Sequence, residues 1–223
     1  MSSSCNKESC WLKHKCLKEG LDSSIIRNSF APYQPLEWKK KPNEWLSSVD
    51  IQKVMKQYEK AYKCFEFLGP SPIDFDDHKL YGECVWEELC KFNLEDFIKR
   101  KKTKIGIIFN LDKHTQSGSH WVGMFINTTK RQITYMDSYG DEPPKEVNEL
   151  ANRVKKQSES IGQSYEYNST TLRHQYSNSE CGMYCLHFII ESVKGKDWKY
   201  FNKIKISDKK MKKLRNIYFN VNN

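Results

Sequence analysis

The sequence predicts an α+β domain, and three observations carry that prediction. A helical period governs the first part of the ordered pattern. At Lys104 the period changes to that of strands, and a hairpin is written across residues 121–137. An apolar helix and a further amphipathic one then follow. Helices, then paired strands, then helices laid on them is the order of an α+β fold rather than of alternating βαβ units.

Residues 1–42 read as an irregular N-terminal extension bearing Cys and Lys and ending in Pro32, Pro35 and Pro42; residues 43–223 read as the folded domain. Asn43 is a plausible N-cap for a helix whose apolar face is Ile51, Val54, Met55, Tyr58, Ala61 and Tyr62. Gly69-Pro70-Ser71-Pro72 reads as a closing loop. A shorter helix is expected over residues 82–92, with Val85, Leu89 and Phe92 inward. Residues 105–110 form a strand. Residues 121–126 form another, apolar on both faces and therefore central in a sheet. A turn at residues 127–131 leads to the return strand 132–137. Residues 143–160 read as a polar amphipathic helix, 165–170 as a strand and 181–193 as an apolar helix. Ser207 caps a last helix with Met211, Leu214 and Ile217 inward.

Composition narrows the function classes. The 223 residues hold 6 Trp, 12 Tyr and 11 Phe, too many large rings for a disordered chain. Mean hydropathy is −0.79, and no apolar run approaches the ~18–20 residues of a membrane span. The first residues lack the apolar core of a secretory signal, so a soluble intracellular protein is expected and its eight Cys are read as thiols. The net charge of +9 favours anionic partners.

The chemistry is carried by His120, Asp137, Gln175 and Cys181, in that order. If the hairpin centres on Thr129-Lys130, paired residue numbers sum to 259, so 122 faces 137 and 120 faces 139. His120 and Asp137 then share a sheet face at a diagonal of ~7–8 Å, suited to a carboxylate orienting an imidazole. Cys181 opens the apolar helix, where unsatisfied N–H groups, the helix dipole and a neighbouring His⁺ favour a thiolate nucleophile. Gly182 leaves room for a substrate backbone. Gln175, six residues before Cys181, can offer its amide to an oxyanion beside the Cys181 N–H.

These pieces, Ser119-His120-Trp121, Tyr135-Met136-Asp137-Ser138 and Gln175-x5-Cys181-Gly182, together resemble the SUMO-deconjugating, or ubiquitin-like-protein, cysteine peptidases and their viral relatives. The stretch from Arg173 to Gly182, with Ile206-Ser207-Asp208 leading to Arg215, is most similar to the polyprotein proteases of African swine fever virus and similar giant DNA viruses; the adenovirus maturation protease is a more distant likeness. Trp45-Leu46-Ser47 resembles the family's Trp-Leu-Asn element, with Ser47 in place of Asn. The resemblance implies a papain-like cysteine peptidase fold of the SUMO-protease type, a mixed sheet with helices on both sides. It implies a His120–Asp137–Cys181 triad with Gln175 at the oxyanion. Trp45 and Trp121 would line a tunnel that admits only glycine beside the scissile bond, although strict strand alternation turns Trp121 away from His120. The implied function is a viral endopeptidase cutting capsid or core precursors at Gly-Gly-type sites, in the virion and at assembly sites in host cytoplasm. No cofactor or metal is implied.

Other residues are read more plainly. Cys185 lies one turn inside its helix and is core; His187 is off the catalytic face; His174 is a loop surface residue; Asp141 lies past the strand end; His78 and His114 have no partner pattern. Cys5, Cys10, Cys16 and His14 have spacings too loose for an ordinary zinc module and read as free thiols beside a histidine. The run Lys99-Arg100-Lys101-Lys102-x-Lys104 and the face Lys209, Lys210, Lys212, Lys213, Arg215 are solvated surface or, alternatively, a track for nucleic-acid phosphates. Two rival functions follow: a deconjugase for ubiquitin-like modifiers, and a non-catalytic basic virion protein that keeps the fold.

Overall fold

The computed structural model describes residues 30–221 together with Trp11, Gly20 and Asp22. Helix α1 (Ser48–Ala61) leads into strand β1 (Phe65–Pro72). Short helices α2 (Glu87–Cys90) and α3 (Leu94–Lys99) precede β2 (Lys104–Asn110), β3 (Trp121–Asn127) and β4 (Gln132–Met136). Then come α4 (Lys145–Ser160), β5 (Glu166–Ser169), α5 (Cys181–Val193), α6 (Trp198–Lys203) and α7 (Asp208–Tyr218).

The strands form one mixed sheet in the order β1-β2-β3-β4-β5, parallel at both outer pairings and antiparallel at both inner ones. β3 is the central strand. Asn127 pairs with Gln132 and Gly123 with Met136, so the expected hairpin register holds. One face of the sheet carries Trp121 and Phe125 and packs on α1, α5 and α7. The other carries Val122, Met124 and Ile126 and packs on α4 through Val147, Leu150 and Val154. α5 is buried almost along its whole length. It approaches the sheet closely because Gly123 has no side chain: a Cβ there would lie 2.9 Å from Phe188 Cδ1.

Four expectations about elements need correction. α1 is capped by Ser47, not Asn43; Ser47 and Asp50 satisfy each other's backbone N–H groups in a capping box. Gly69-Pro70-Ser71-Pro72 is the end of an edge strand, where proline is tolerated because the outer N–H groups need no ladder partner. Residues 82–92 form only one short helix, α2, although Val85, Leu89 and Phe92 are buried as expected. On α7 the buried residues are Met211, Arg215 and Tyr218, the i, i+4, i+7 stripe; Leu214 packs partly buried against the core as expected, and Ile217 is exposed. The stretch before residue 43 also contributes to the body. Asn220 N donates to Pro32 O, Gln34 N donates to Asn220 O, and Trp38 is buried against Phe219. Cys84 and Cys90, read as thiols, are joined by a disulfide across a turn whose ends Cα atoms sit 6.2 Å apart. Among the described residues Cys64, Cys181 and Cys185 are free. Cys5, Cys10, His14 and Cys16 lie outside the described residues. Among the described residues no helix is long and apolar enough to cross a membrane.

Candidate active site

The site lies where β3 begins, β4 ends and α5 begins. Cys181 is the first residue of α5. Glu180 precedes it and is fully buried, because its carboxylate accepts a hydrogen bond from Arg215 Nε at 2.9 Å. Arg215 also donates to Glu44 O at 2.8 Å and lies 4.4 Å over the Trp38 ring. Removing either partner would strand a buried charge, a loss of ~3–5 kcal/mol. The pair therefore anchors the start of α5 to the last helix and to the segment entering Trp45.

His120 stands just before β3 and Asp137 just after β4. His120 Nε2 donates to Asp137 Oδ1 at 2.8 Å, and the same oxygen accepts from the Tyr139 N–H at 2.9 Å. The Cys181 side chain lies close enough to act on the imidazole as well. Burial alone would push His120 down. The hydrogen bonds to Asp137 and Cys181, with the charges of both, outweigh it and raise His120 to about 9. The imidazole is thus held protonated at neutral pH between two acidic groups. The structure brings the predicted His120, Asp137 and Cys181 together.

Gln175 arrives differently. It is fully buried, and its amide nitrogen donates to Ser177 O at 2.6 Å and to Tyr139 OH at 3.2 Å, while its oxygen accepts from Ser138 Oγ at 2.6 Å. Both amide hydrogens are engaged, so donation to an oxyanion requires exchange of one of these bonds. Contrary to the expectation from sequence, Gly182 does not leave room for substrate. That room is filled by Leu46, whose Cβ, Cδ1 and Cγ lie 3.0–3.2 Å from where a Cβ would stand. Trp45 is 41% exposed and Trp121 is 7% exposed; both border, with Leu46, a cavity of about 710 Å³. Trp121 Nε1 donates to Leu46 O at 3.0 Å. Pleating does turn Trp121 away from Val122, but toward the face that carries α5, in one buried cluster with Leu46 and Cys181.

Three features were missed by the sequence reading. Tyr139 stacks on the His120 ring with centroids 4.9 Å apart. The signal was present, since the hairpin register sets 139 opposite 120. The Glu180–Arg215 pair joins residues 35 apart in sequence, and no local pattern announces it. His114 pairs with Asp74 at 2.7 Å on the cavity wall, again across a separation no motif marks. His174, read as a surface residue, is 1% exposed; its Nδ1 accepts the Ile206 N–H, and burial lowers its pKa. Cys185 is core as expected, and burial raises its thiol pKa. The basic run at 99–104 is largely engaged: Arg100 and Lys102 face Glu66, Lys99 faces Glu95, and Lys104 donates to Val193 O. Arg215 leaves the other basic face for its buried pair. Among the described residues, the one group with metal-ligand geometry is His78, Cys84 and Cys90, and two of its three ligands are bonded to each other.

A cysteine at a buried helix start, beside an imidazole that a carboxylate orients, is the arrangement of a cysteine peptidase. The chain belongs to the Ulp1 protease family: residues 43–223 match the model of its C-terminal catalytic domain. It is 33% identical over 182 residues to the putative thiol protease R355 of Acanthamoeba polyphaga mimivirus, covering 80% of this chain and 58% of that protein. It is 27% identical over 232 residues to the SUMO-1 cysteine protease S273R of an African swine fever virus isolate, covering 97% of this chain and 84% of that one. The crystal structure of the African swine fever virus pS273R protease superposes with a TM-score of 0.76 at 24% identity, over 99% of this chain and 85% of that one. The C-terminal Ulp1 protease domain in complex with Smt3 superposes with a TM-score of 0.50 at 19% identity, over 79% of each chain.

Proposed function

We propose that this chain is a viral cysteine endopeptidase that processes structural precursor proteins at Gly-Gly-type sites, acting in the virion and at assembly sites in the host cytoplasm. The observation that carries the reading is the placement of Trp45 and Trp121 on one cavity whose third wall, Leu46, covers the start of the nucleophile's helix. A substrate passing between the two indoles to reach Cys181 would meet a wall at any side chain next to the scissile bond. The viral relatives named above support a viral source and a protein substrate.

In this mechanism the Cys181 sulfur attacks the scissile carbonyl carbon. The oxyanion is met by the backbone N–H of Cys181 and by the Gln175 amide, once Gln175 gives up Tyr139 OH or Ser177 O. The imidazolium of His120 passes its proton to the leaving amine, and the C–N bond breaks to give a thioester. Neutral His120 then takes a proton from water as its oxygen attacks the thioester. The acid is released and the proton returns to the His120–Cys181 pair. Asp137 holds the ring orientation and its positive charge throughout.

The test is a peptide-library cleavage profile. Gly→Ala at either glycine should cost ~10²-fold or more, because a Cβ displaces the carbonyl from attack geometry. Trp121→Ala should slow cleavage and relax the rule. A wild-type enzyme that accepts bulky residues at both positions contradicts the tunnel and leaves the triad standing. Faster cleavage of a folded ubiquitin-like modifier fusion than of its linear tail peptide would favour a deconjugase instead, the function the Smt3-bound neighbour exemplifies.

A further inference from the structure

Beyond His120, among residues that do not line the tryptophan-walled cavity, the chain builds a row of alternating rings and cations. Tyr139 stacks on the catalytic imidazole. The Arg173 guanidinium lies 5.2 Å from the Tyr139 ring centre and 4.9 Å from that of Tyr176. Lys205 Nζ follows, 4.1 Å from the Tyr176 centre and 2.8 Å from its hydroxyl. Arg173 is further fixed by donating Nε–H to Gln175 O at 3.0 Å. Arg173, Tyr176 and Lys205 are exposed, Tyr176 by 61%. Among the described residues neither cation pairs with a carboxylate. The nearby Asp208 is taken: one oxygen accepts the N–H groups of Tyr176 and Ser177, the other the Tyr184 hydroxyl. None of the row lines the cavity of Trp45 and Trp121.

The division has a chemical meaning. Whatever lies on the cavity side of the scissile bond stays on Cys181 as the acyl group. The amine that leaves must touch His120, its proton donor, and the chain attached to it continues past that ring. We propose that the Arg173–Tyr176–Lys205 row is the leaving-side recognition surface of the peptidase, and that it selects substrates with acidic residues shortly after the scissile bond. This rests on the peptidase reading above and adds to it the chemistry of the substrate's other half. Two fixed, exposed cations without carboxylate partners suit a carboxylate, since charge-assisted bonds to pre-positioned donors cost little ordering entropy.

The experiment compares peptides sharing one Gly-Gly acyl side and carrying Asp/Glu, Ser or Lys at the second to fourth positions after the bond. Acidic peptides should show kcat/KM about 5- to 10-fold above Ser peptides at low salt, each exposed pair giving a few-fold. The advantage should shrink at high salt as the charges are screened. In Arg173→Ala with Lys205→Ala the acid-to-Ser ratio should fall to about 1, and Arg173→Lys should restore part of it. A loss of packing on Tyr139 would lower all peptides together and leave the ratio unmoved. Binding of the same peptides to Cys181→Ala protein gives the same ratio without turnover. Equal handling of acidic and Ser peptides, or a ratio unaffected by the double variant, overturns the proposal. So does a short DNA strand that displaces acidic peptide and is itself released by the double variant, which would make the row a stacking track for nucleic acid. Loss of the glycine requirement with the acid preference intact would instead contradict the Gly-Gly reading alone.

Discussion

Two largely desolvated histidines, His120 beside the start of α5 and His187 within that helix, behave oppositely. His120 is raised to about 9, and His187 is lowered to about 4. Both lose hydration. Among the described residues His187 finds as hydrogen-bond partner only the neutral Tyr218 hydroxyl, 3.1 Å from its Nδ1, and burial dominates, with Lys210 and Lys194 adding to the fall. His120 finds the Asp137 carboxylate and the Cys181 sulfur, and their combined pull exceeds its burial cost. Burial therefore does not distinguish a catalytic histidine from a structural one; the charge of its partners does. The two cysteines of α5 repeat the lesson. Cys185, one turn in, is core with its thiol pKa pushed up. Cys181 is also buried, at 2%, but lies beside His120.

The largest effect that could break this comparison is on the nucleophile. Cys181→Ala should reduce peptide turnover by ~10⁴-fold or more while the chain stays folded. Cys185→Ala should cost about 1–2 kcal/mol of stability through a small cavity and leave turnover per folded molecule nearly unchanged. Steady-state rates with urea melts on both proteins check this. The next effect sharpens the role of charge. Activity needs the His120 imidazolium, so it should fall as pH rises through about 9. Asp137→Asn keeps the shape but removes a carboxylate; turnover should drop on the order of 10²-fold and the alkaline limb should move to lower pH. A pH–rate profile of the variant with an unmoved limb would separate Asp137 from the raised imidazole.

The smallest effect is on stability. His120 is raised in the folded state, so its contribution of ~3 kcal/mol is full below the unfolded value of 6.5 and lost as pH rises through about 9. His187 is lowered, so the unfolded chain takes up its proton first. Stability falls by ~3 kcal/mol as pH drops from 6.5 through about 4. His187→Gln should flatten the acid side without altering the rate at neutral pH. Denaturant titrations at several pH values check both slopes.

Much of this was legible in sequence where the signal is local. The period change at Lys104, the hairpin register and the bounds of α5 follow from side-chain alternation and helix spacing. The triad follows because the register fixes His120 against Asp137, and Cys181 opens a helix. What was not legible depends on pairing across long separations. Arg215 looked like one more cation on a basic face, and only its meeting with Glu180 shows it is buried. β1 was hidden because Gly69 and Pro70 break strands in general, and only an edge position tolerates them. Gly182 was read as space for substrate; Leu46, 136 residues earlier in the chain, occupies it. The engaged amide of Gln175 likewise depends on Tyr139 and Ser177, which no spacing rule joins to it.

The most direct measurement is covalent capture of the nucleophile. The folded wild-type protein is incubated with a Gly-Gly peptide carrying a thiol-reactive electrophile in place of the scissile carbonyl, and the adduct is located by mass spectrometry. The account predicts one adduct, on Cys181, with Cys64 and Cys185 unmodified, and a labelling rate that collapses in His120→Ala. An adduct on another cysteine, none on Cys181 in a folded protein, or labelling of Cys181 that is indifferent to His120 would contradict it.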